Sequence, residues 1–179
     1  HPPFDVSSPF RVLFHWWMRR SGAQLVHAGA VARNGRGVLI AGKGGAGKST
    51  LALACLLAGH DFLGDDYVLV RTSPRVEALS LFRSAKLDVG DLRSRFPALA
   101  GAICGFTTPP DRGKAVLMLG EPYGERFCFR TALSAIVLPW VLSCFRAVLR
   151  EASVEDVLRA LVPSTCRQLT GVKKGDLDE

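Results

Sequence analysis

Apolar and polar positions along the chain predict short strands that alternate with helices. Residues 37–41 (GVLIA) form an apolar run typical of a buried strand. Residues 49–58 form a Leu- and Ala-rich run typical of a helix, which ends at Gly59. The same reasoning predicts further strands at 25–32, 67–70, 76–81, 115–119, 127–129 and 133–138, and further helices at 10–20, 89–96 and 154–162. This alternation indicates an α/β domain.

Several local features refine this outline. Asn34-Gly35 is a strong two-residue turn signal between the first two strands. Residues 104–114 are rich in turn-forming residues and are predicted to be a loop, while Ser153 is the expected N-cap of the last helix. The Trp16-Trp17 pair is expected to lie in the core, and the charged residues 173–179 are expected to fray.

Composition narrows the class of protein. A chain of 179 residues with 48% hydrophobic residues suits one compact domain and excludes disorder. The most apolar stretch, residues 132–145, is interrupted by Pro139 and is shorter than the roughly 20 residues that a spanning helix needs. Five cysteines without a CxxC pair predict reduced thiols, and no signal peptide is visible. We therefore expect a cytoplasmic protein with no membrane contact.

Residues 42–49 read GKGGAGKS and match G-x-x-x-x-G-K-[ST] in full, between a predicted strand and a predicted helix. Glycines permit a tight loop whose backbone N–H groups point at phosphate oxygens, and the helix adds the positive end of its dipole. Lys48 would contact the β- and γ-phosphates, and the Ser49 hydroxyl would bind Mg²⁺. The predicted nucleotide-binding residues are Gly42, Lys43, Gly44, Gly45, Ala46, Gly47, Lys48, Ser49 and Thr50.

Two further features narrow the chemistry. His27 precedes the Asn34-Gly35 turn, and that hairpin could return it to the nucleotide. Asp65-Asp66 follows the loop helix at a strand edge, where acidic residues of such proteins hold Mg²⁺ or its waters. Adjacent carboxylates allow one to serve the metal and the other to act as general base, and their mutual repulsion should raise one pKa. From the local sequence alone, His27 also suits an ordinary buried histidine, and Asp65-Asp66 also suits an Asp-rich turn.

These residues carry a resemblance to a known family. The run from His27 through the loop, Ala58-Gly-His60 and Asp65-Asp66 to Val70 resembles the catalytic core of the HPr kinase/phosphorylase family and its HPr-kinase-like relatives. The resemblance implies an α/β P-loop nucleotide-binding core of the phosphoenolpyruvate carboxykinase/HPr kinase type, with a central mixed sheet flanked by helices. It also implies an N-terminal extension with a helix at 1–24 and a kinase catalytic domain at 25–179.

The resemblance further implies a role for each matching residue. Lys48 would contact the transferring phosphate, and Ser49 and Asp65 would bind Mg²⁺. Asp66 would take the proton of the acceptor serine, and His27 would assist by pairing with the aspartates or the phosphate. The expected activity is an ATP- and Mg²⁺-dependent serine kinase.

The chain also departs from the family. HPr kinase/phosphorylases carry a glycine-rich signature with a metal-binding Glu downstream of the aspartates, and residues 79–89 here contain no Glu. The resemblance therefore favours the branch that phosphorylates a serine of a precursor peptide, as in lasso-peptide pathways, over HPr itself. Among the basic residues, Lys86 and Arg130 are the candidates for contacting phosphate or substrate, because each lies beside an apolar run.

Other function classes stay open at this point. A P-loop ATPase or regulatory nucleotide-binding module would share the loop, and so would a small-molecule kinase. The net charge of +7 favours an anionic partner, but no basic run with interleaved aromatics predicts nucleic-acid binding. A small protein or precursor peptide bearing an acceptor Ser is the expected partner, and self-association is left open.

Overall fold

The computed structural model describes residues 6–107, 113–142 and 146–169, with side chains to residue 166. Four α-helices lie in these ranges: α1 (Arg11–Arg19), α2 (Lys48–Leu57), α3 (Val89–Arg95) and α4 (Val154–Leu169). Two short 3-10 helices span Pro97–Ala102 and Gly124–Arg126. The strands are β1 (Ala23–Val26), β2 (Gly29–Arg33), β3 (Arg36–Ile40), β4 (Asp61–Gly64), β5 (Val68–Arg71), β6 (Glu77–Leu79), β7 (Ser84–Asp88), β8 (Ile103–Phe106), β9 (Lys114–Met118) and β10 (Arg130–Val137).

A seven-stranded mixed sheet forms the centre of the fold, in the order β1-β5-β6-β10-β3-β2-β4. Only β3 and β10 pair in parallel, from Ala132 opposite Arg36 to Val137 opposite Ile40, and the other described pairs are antiparallel. A second, antiparallel sheet has the order β7-β9-β8. The predicted α/β class with a central mixed sheet flanked by helices is confirmed.

The helices fill the space around the central sheet. The buried side of α2 (Ala52, Leu53 and Leu56) packs in one cluster with Phe62 of the large sheet and with Leu87 and Leu117 of the small sheet, so that α2 lies between the two sheets. Leu161 of α4 packs against a second apolar cluster that includes Leu39 and Leu63. None of the described helices is long and apolar enough to cross a bilayer.

The first predicted strand is wrong in one respect: residues 25–32 form parts of two strands. β1 pairs with β5, whereas β2 pairs with β3 and β4, and the chain changes partners at His27 and Ala28. Both residues are buried like the strands beside them, so no change in exposure marks the break. Because β1 begins at Ala23, the expected boundary between residues 24 and 25 also cuts through a strand.

Other differences arise where local sequence is ambiguous. β7 was not predicted, and β8 occupies the start of the predicted loop, of which residues 108–112 lie outside the described part of the chain. Phe127 makes one isolated bridge with Phe62 in place of the predicted strand at 127–129. Residues 173–179 also lie outside the described ranges.

Two helix predictions had different outcomes. Ser153 caps α4 as expected: its hydroxyl accepts from the Asp156 N–H at 3.1 Å, while the Asp156 carboxylate accepts from the Ser153 N–H at 3.1 Å. The expectation that the tryptophans are core residues is wrong, because Trp16 is 61% and Trp17 is 65% exposed. Instead, Phe14 and Met18 anchor α1 against the cluster of Leu25, Tyr67 and Phe82.

Substitutions on α2 test this packing. Leu53 is fully buried between the sheets and Leu57 of the same helix is 39% exposed. Leu53→Ala should lower the free energy of unfolding by about 2–5 kcal/mol, because it leaves a cavity. The matched control Leu57→Ala should cost less than about 1 kcal/mol. Urea denaturation measures both, and equal losses would contradict the proposed position of α2.

Candidate active site

The phosphate-loop motif lies between β3 and α2. Gly45 and Gly47 have φ of 80° and 95°, a left-handed conformation that favours glycine and turns the chain sharply into the helix. Lys48 is buried, with 6% of its surface exposed, and its Nζ donates to the carbonyl oxygens of Gly42 at 2.8 Å and Lys43 at 3.1 Å. The ammonium group is therefore held against the loop. The exposed rim of the loop consists of Lys43, Gly44 and Gly45.

Asp65 follows the end of β4 and is buried, with 2% exposed. Its Oδ2 accepts from the backbone N–H of Lys86 at 3.1 Å, and the Ser49 hydroxyl lies close enough to the carboxylate to lower its pKa. Oδ1 is buried and has no hydrogen-bond partner among the described residues. Burial, followed by the charge of Asp66, raises the pKa of Asp65, and these hydrogen bonds oppose the rise only in part.

Asp66 adopts a left-handed backbone conformation, with φ of 66°, and this turn directs the two neighbouring carboxylates to different partners. Its Oδ2 lies 2.5 Å from Lys86 Nζ, and its Oδ1 lies 3.7 Å from His27 Nε2. Burial alone would raise the pKa of Asp66. The interactions with His27 and Lys86 outweigh burial and hold that pKa well below its usual range, so the carboxylate is ionised at neutral pH.

His27 occupies the break between β1 and β2, where the chain changes strand partners. Its backbone N–H donates to Thr165 Oγ1 of α4 at 3.1 Å, and its ring centroid lies 5.4 Å from that of Tyr67. The Arg11 guanidinium lies 5.8 Å from the centre of the Tyr67 ring. Burial raises the pKa of Tyr67 to about 12. Helix α4 thus contacts the backbone of His27, and helix α1 contacts the Tyr67 ring that lies against the imidazole.

Charge in this cluster is balanced between two lysines and two aspartates. Burial lowers the pKa of Lys48, and the charges of Asp65 and Asp66 partly restore it. In the part of the chain that the structure describes, no group of three or more His, Cys, Asp and Glu side chains could hold a metal ion. Mg²⁺ does not need one, since it usually takes one or two carboxylates together with water and substrate phosphates. Asp65 Oδ1, which is buried without a hydrogen-bond partner among the described residues, suits such a hard cation.

The structure brings together His27, Lys48, Ser49, Asp65, Asp66 and Lys86. Arg130 does not join them. It begins β10, and the parallel register puts Val137, at the other end of that strand, beside Ile40 and the phosphate loop. Seven residues of strand separate the two ends by about 23 Å, so we leave Arg130 out of the candidate site.

Sequence reasoning missed four supporting contacts. Thr165 and Tyr67 contact His27, Arg11 lies over the Tyr67 ring, and the backbone N–H of Lys86 donates to Asp65. Tyr67 directly follows the aspartates and could have been noticed on that ground. Thr165 lies 138 residues from His27, and nothing in the local sequence around either residue signals this contact.

β3, the phosphate-loop motif and α2 follow one another in the strand–loop–helix order that the motif predicts. No family model matches the chain. It is 38% identical over 65 residues, 36% of its length, to the HPr kinase/phosphorylase of Chlorobium luteolum, and it spans about a fifth (20%) of that relative. A solved HPr(Ser) kinase/phosphatase from Coxiella burnetii aligns over 64% of each chain, with 18% identity and a TM-score of 0.43. The sequence match confirms the predicted resemblance to HPr kinase/phosphorylase.

The raised pKa of Asp65 predicts a gain in stability when its charge is removed. The folded protein binds this proton more tightly than the unfolded chain, so stability is lost as pH rises above the ordinary Asp value of 3.8. Asp65→Asn should therefore raise the free energy of unfolding at pH 7, and the gain should disappear near pH 3.5.

Urea denaturation at both pH values measures this effect, with exposed Glu121→Gln as the control that should change little at either pH. If Asp65→Asn instead lowers the free energy of unfolding by the same amount at pH 3.5 and pH 7, the pKa of Asp65 is not raised in the folded protein.

Proposed function

We propose that this protein is an ATP- and Mg²⁺-dependent kinase that transfers the γ-phosphate to a serine hydroxyl. The observation that carries the proposal is the division of two adjacent carboxylates between two tasks. Asp65 faces Ser49 of the phosphate loop, whereas Asp66 faces His27 and Lys86. A loop that only bound nucleotide would not need the second carboxylate.

The nucleotide would bind at the exposed rim of the loop, where backbone N–H groups and the N-terminus of α2 can meet phosphate oxygens. Lys48 would exchange its contacts with the Gly42 and Lys43 carbonyls for the transferring phosphate. Ser49 and Asp65 would hold Mg²⁺, which neutralises charge on the phosphates when bound. Lys43 to Gly47 and Thr50 complete the proposed nucleotide site.

Asp66 would receive the acceptor proton. The serine oxygen bonds to the γ-phosphorus, the bond from that phosphorus to the bridging oxygen breaks, ADP leaves, and the hydroxyl proton passes to the Asp66 carboxylate. An ionised Asp66 of low pKa is a weak base but a good hydrogen-bond acceptor, which suits a loose transition state in which positioning matters most. Lys86 pairs with Asp66 and would add positive charge beside the reacting groups, and His27 would position the carboxylate.

The proposed acceptor is a small protein or precursor peptide. The relative from Chlorobium luteolum is named HPr kinase/phosphorylase, and the resemblance to this family supports a polypeptide acceptor. The missing Glu in residues 79–89 favours a precursor peptide of the lasso type over HPr. The alternatives of a nucleotide-hydrolysing regulatory module and a small-molecule kinase are separated from this proposal by experiment.

Substitutions in the loop and the carboxylate pair test the reaction. With γ-labelled ATP, Mg²⁺ and a library of Ser-containing peptides, the wild type should label peptides. Lys48→Ala should lose nucleotide affinity and activity, and Asp66→Asn should lower peptide labelling at least a hundredfold. Arg130→Ala, a cation at the far end of β10, is the matched control and should keep full activity.

The outcomes separate the alternatives. If ATP is hydrolysed and no peptide is labelled, the kinase proposal is wrong and the regulatory module is favoured. If Asp66→Asn labels peptides as well as the wild type, Asp66 is not the proton acceptor.

The ion pair between Lys86 and Asp66 predicts a pH effect. Lys86→Met removes a cation that holds the pKa of Asp66 down, so that pKa should rise. Because the reaction needs the ionised carboxylate, the acidic limb of the rate profile should move to higher pH. Lys86→Arg should keep the wild-type limb, and an unchanged limb in Lys86→Met would show that the pair does not set this pKa.

A further inference from the structure

The outward side of α1 is apolar. Leu13, Trp16 and Trp17 recur at helical spacing, and each is more than half exposed. We call these three residues the α1 aromatic face. Phe10 extends it toward the start of the helix, and Phe14 and Met18 on the opposite side anchor α1 to the core. Two exposed tryptophans on one short helix are uncommon without a partner, because an apolar patch of this kind marks an interaction site.

The charged side chains of α1 itself are all basic. Helix α1 contains no acidic residue, and Arg19 and Arg20 are exposed at its C-terminal end. The neighbouring helix α4 has acidic residues in its first turn, but these are satisfied locally: Glu155 pairs with Arg159 at 2.6 Å, and Asp156 caps the helix through Ser153. The charge beside the α1 aromatic face therefore favours an acidic partner.

The face also begins close to the proposed reaction centre. Arg11 lies over the Tyr67 ring, Tyr67 contacts the His27 ring, and His27 faces Asp66. These three contacts link the first turn of α1 to the carboxylate that would receive the acceptor proton. The helix that carries the face is thus connected to the proposed reaction centre through packed side chains.

From these observations we infer that the α1 aromatic face binds an acidic, apolar segment of the polypeptide whose serine is phosphorylated. The choice of partner rests on the proposed kinase function. Leucine, valine or phenylalanine side chains of that segment would cover Trp16 and Trp17, and its carboxylates would meet Arg19 and Arg20. Aromatic and Arg side chains are the residue types that dominate binding energy at such interfaces.

Two degenerate pools of fluorescein-labelled dodecapeptides with a central Ser test this inference. One pool combines Asp and Glu with Leu, Val and Phe, and the other replaces the acids by Lys and Arg. Fluorescence anisotropy with the full chain should show binding of the acidic pool above the basic pool. Trp16→Ala/Trp17→Ala should weaken that binding at least tenfold, and Arg19→Ala/Arg20→Ala should weaken it and reduce its dependence on salt.

Matched controls are Phe129→Ala and Arg93→Ala, an exposed aromatic and an exposed cation on other elements, and both should bind like the wild type. Circular dichroism melts establish that each variant is folded, and Trp16→Ala alone provides a milder change. In the labelling assay the double Trp variant should raise KM for the acidic pool and keep kcat, because it leaves the reacting groups in place.

Three results would overturn the inference: equal binding of the two pools by the wild type, no binding of either, or undiminished binding by the double Trp variant.

A wild-type dimer that the variant converts to a monomer in sedimentation velocity would assign the face to a second copy. Binding to phosphatidylglycerol vesicles in preference to the peptides would assign it to a membrane. If the acidic pool binds at α1 and is never phosphorylated, the kinase proposal fails while the binding surface stands.

Discussion

Two buried carboxylates on consecutive residues repel each other, and much of the architecture around the phosphate loop serves to hold Asp65 and Asp66 in place. The left-handed turn at Asp66 sends them in different directions, which removes part of the repulsion. Lys86 stabilises both carboxylates through two different groups. Its backbone N–H donates to Asp65, and its ammonium group pairs with Asp66. Removing this residue would take away both contacts and leave two buried carboxylates whose nearest remaining lysine in the described cluster is Lys48.

Lys86 also connects the two sheets. It belongs to β7 of the small sheet, whereas both aspartates follow β4 of the large sheet, and α2 with Lys48 and Ser49 lies between. The apolar cluster around Leu53 fixes the distance between these layers, and the polar contacts then fix the side chains at one end of them. Packing and catalytic geometry are therefore coupled, because a shift of β7 relative to β4 would break both contacts of Lys86 at once.

The sequence allowed the loop, its flanking strand and helix, and the general α/β class to be predicted, because each depends on neighbouring residues. Glycines at 45 and 47 and an apolar strand before them encode the loop locally. The division of residues 25–32 into β1 and β2 could not be read in the same way, since His27 and Ala28 are as buried as the strands beside them.

Arg130 and Lys86 looked alike in the sequence, and only the strand register separates them. The exposure of Trp16 and Trp17 depends on which side of α1 meets the core, a choice that Phe14 and Met18 decide.

Most of the lysines and arginines of the chain lie outside the phosphate loop. Within the candidate site, Lys48 and Lys86 are matched by Asp65 and Asp66, and exposed Lys43 at the rim of the loop adds one further positive charge. Lys43, the backbone N–H groups of the loop and the N-terminus of α2 are therefore the groups that could attract a phosphate. Other cations lie on the surface, and Arg19 and Arg20 are among those next to exposed aromatic residues. The positive charge outside the loop therefore bears on partner binding more than on the proposed binding of phosphate.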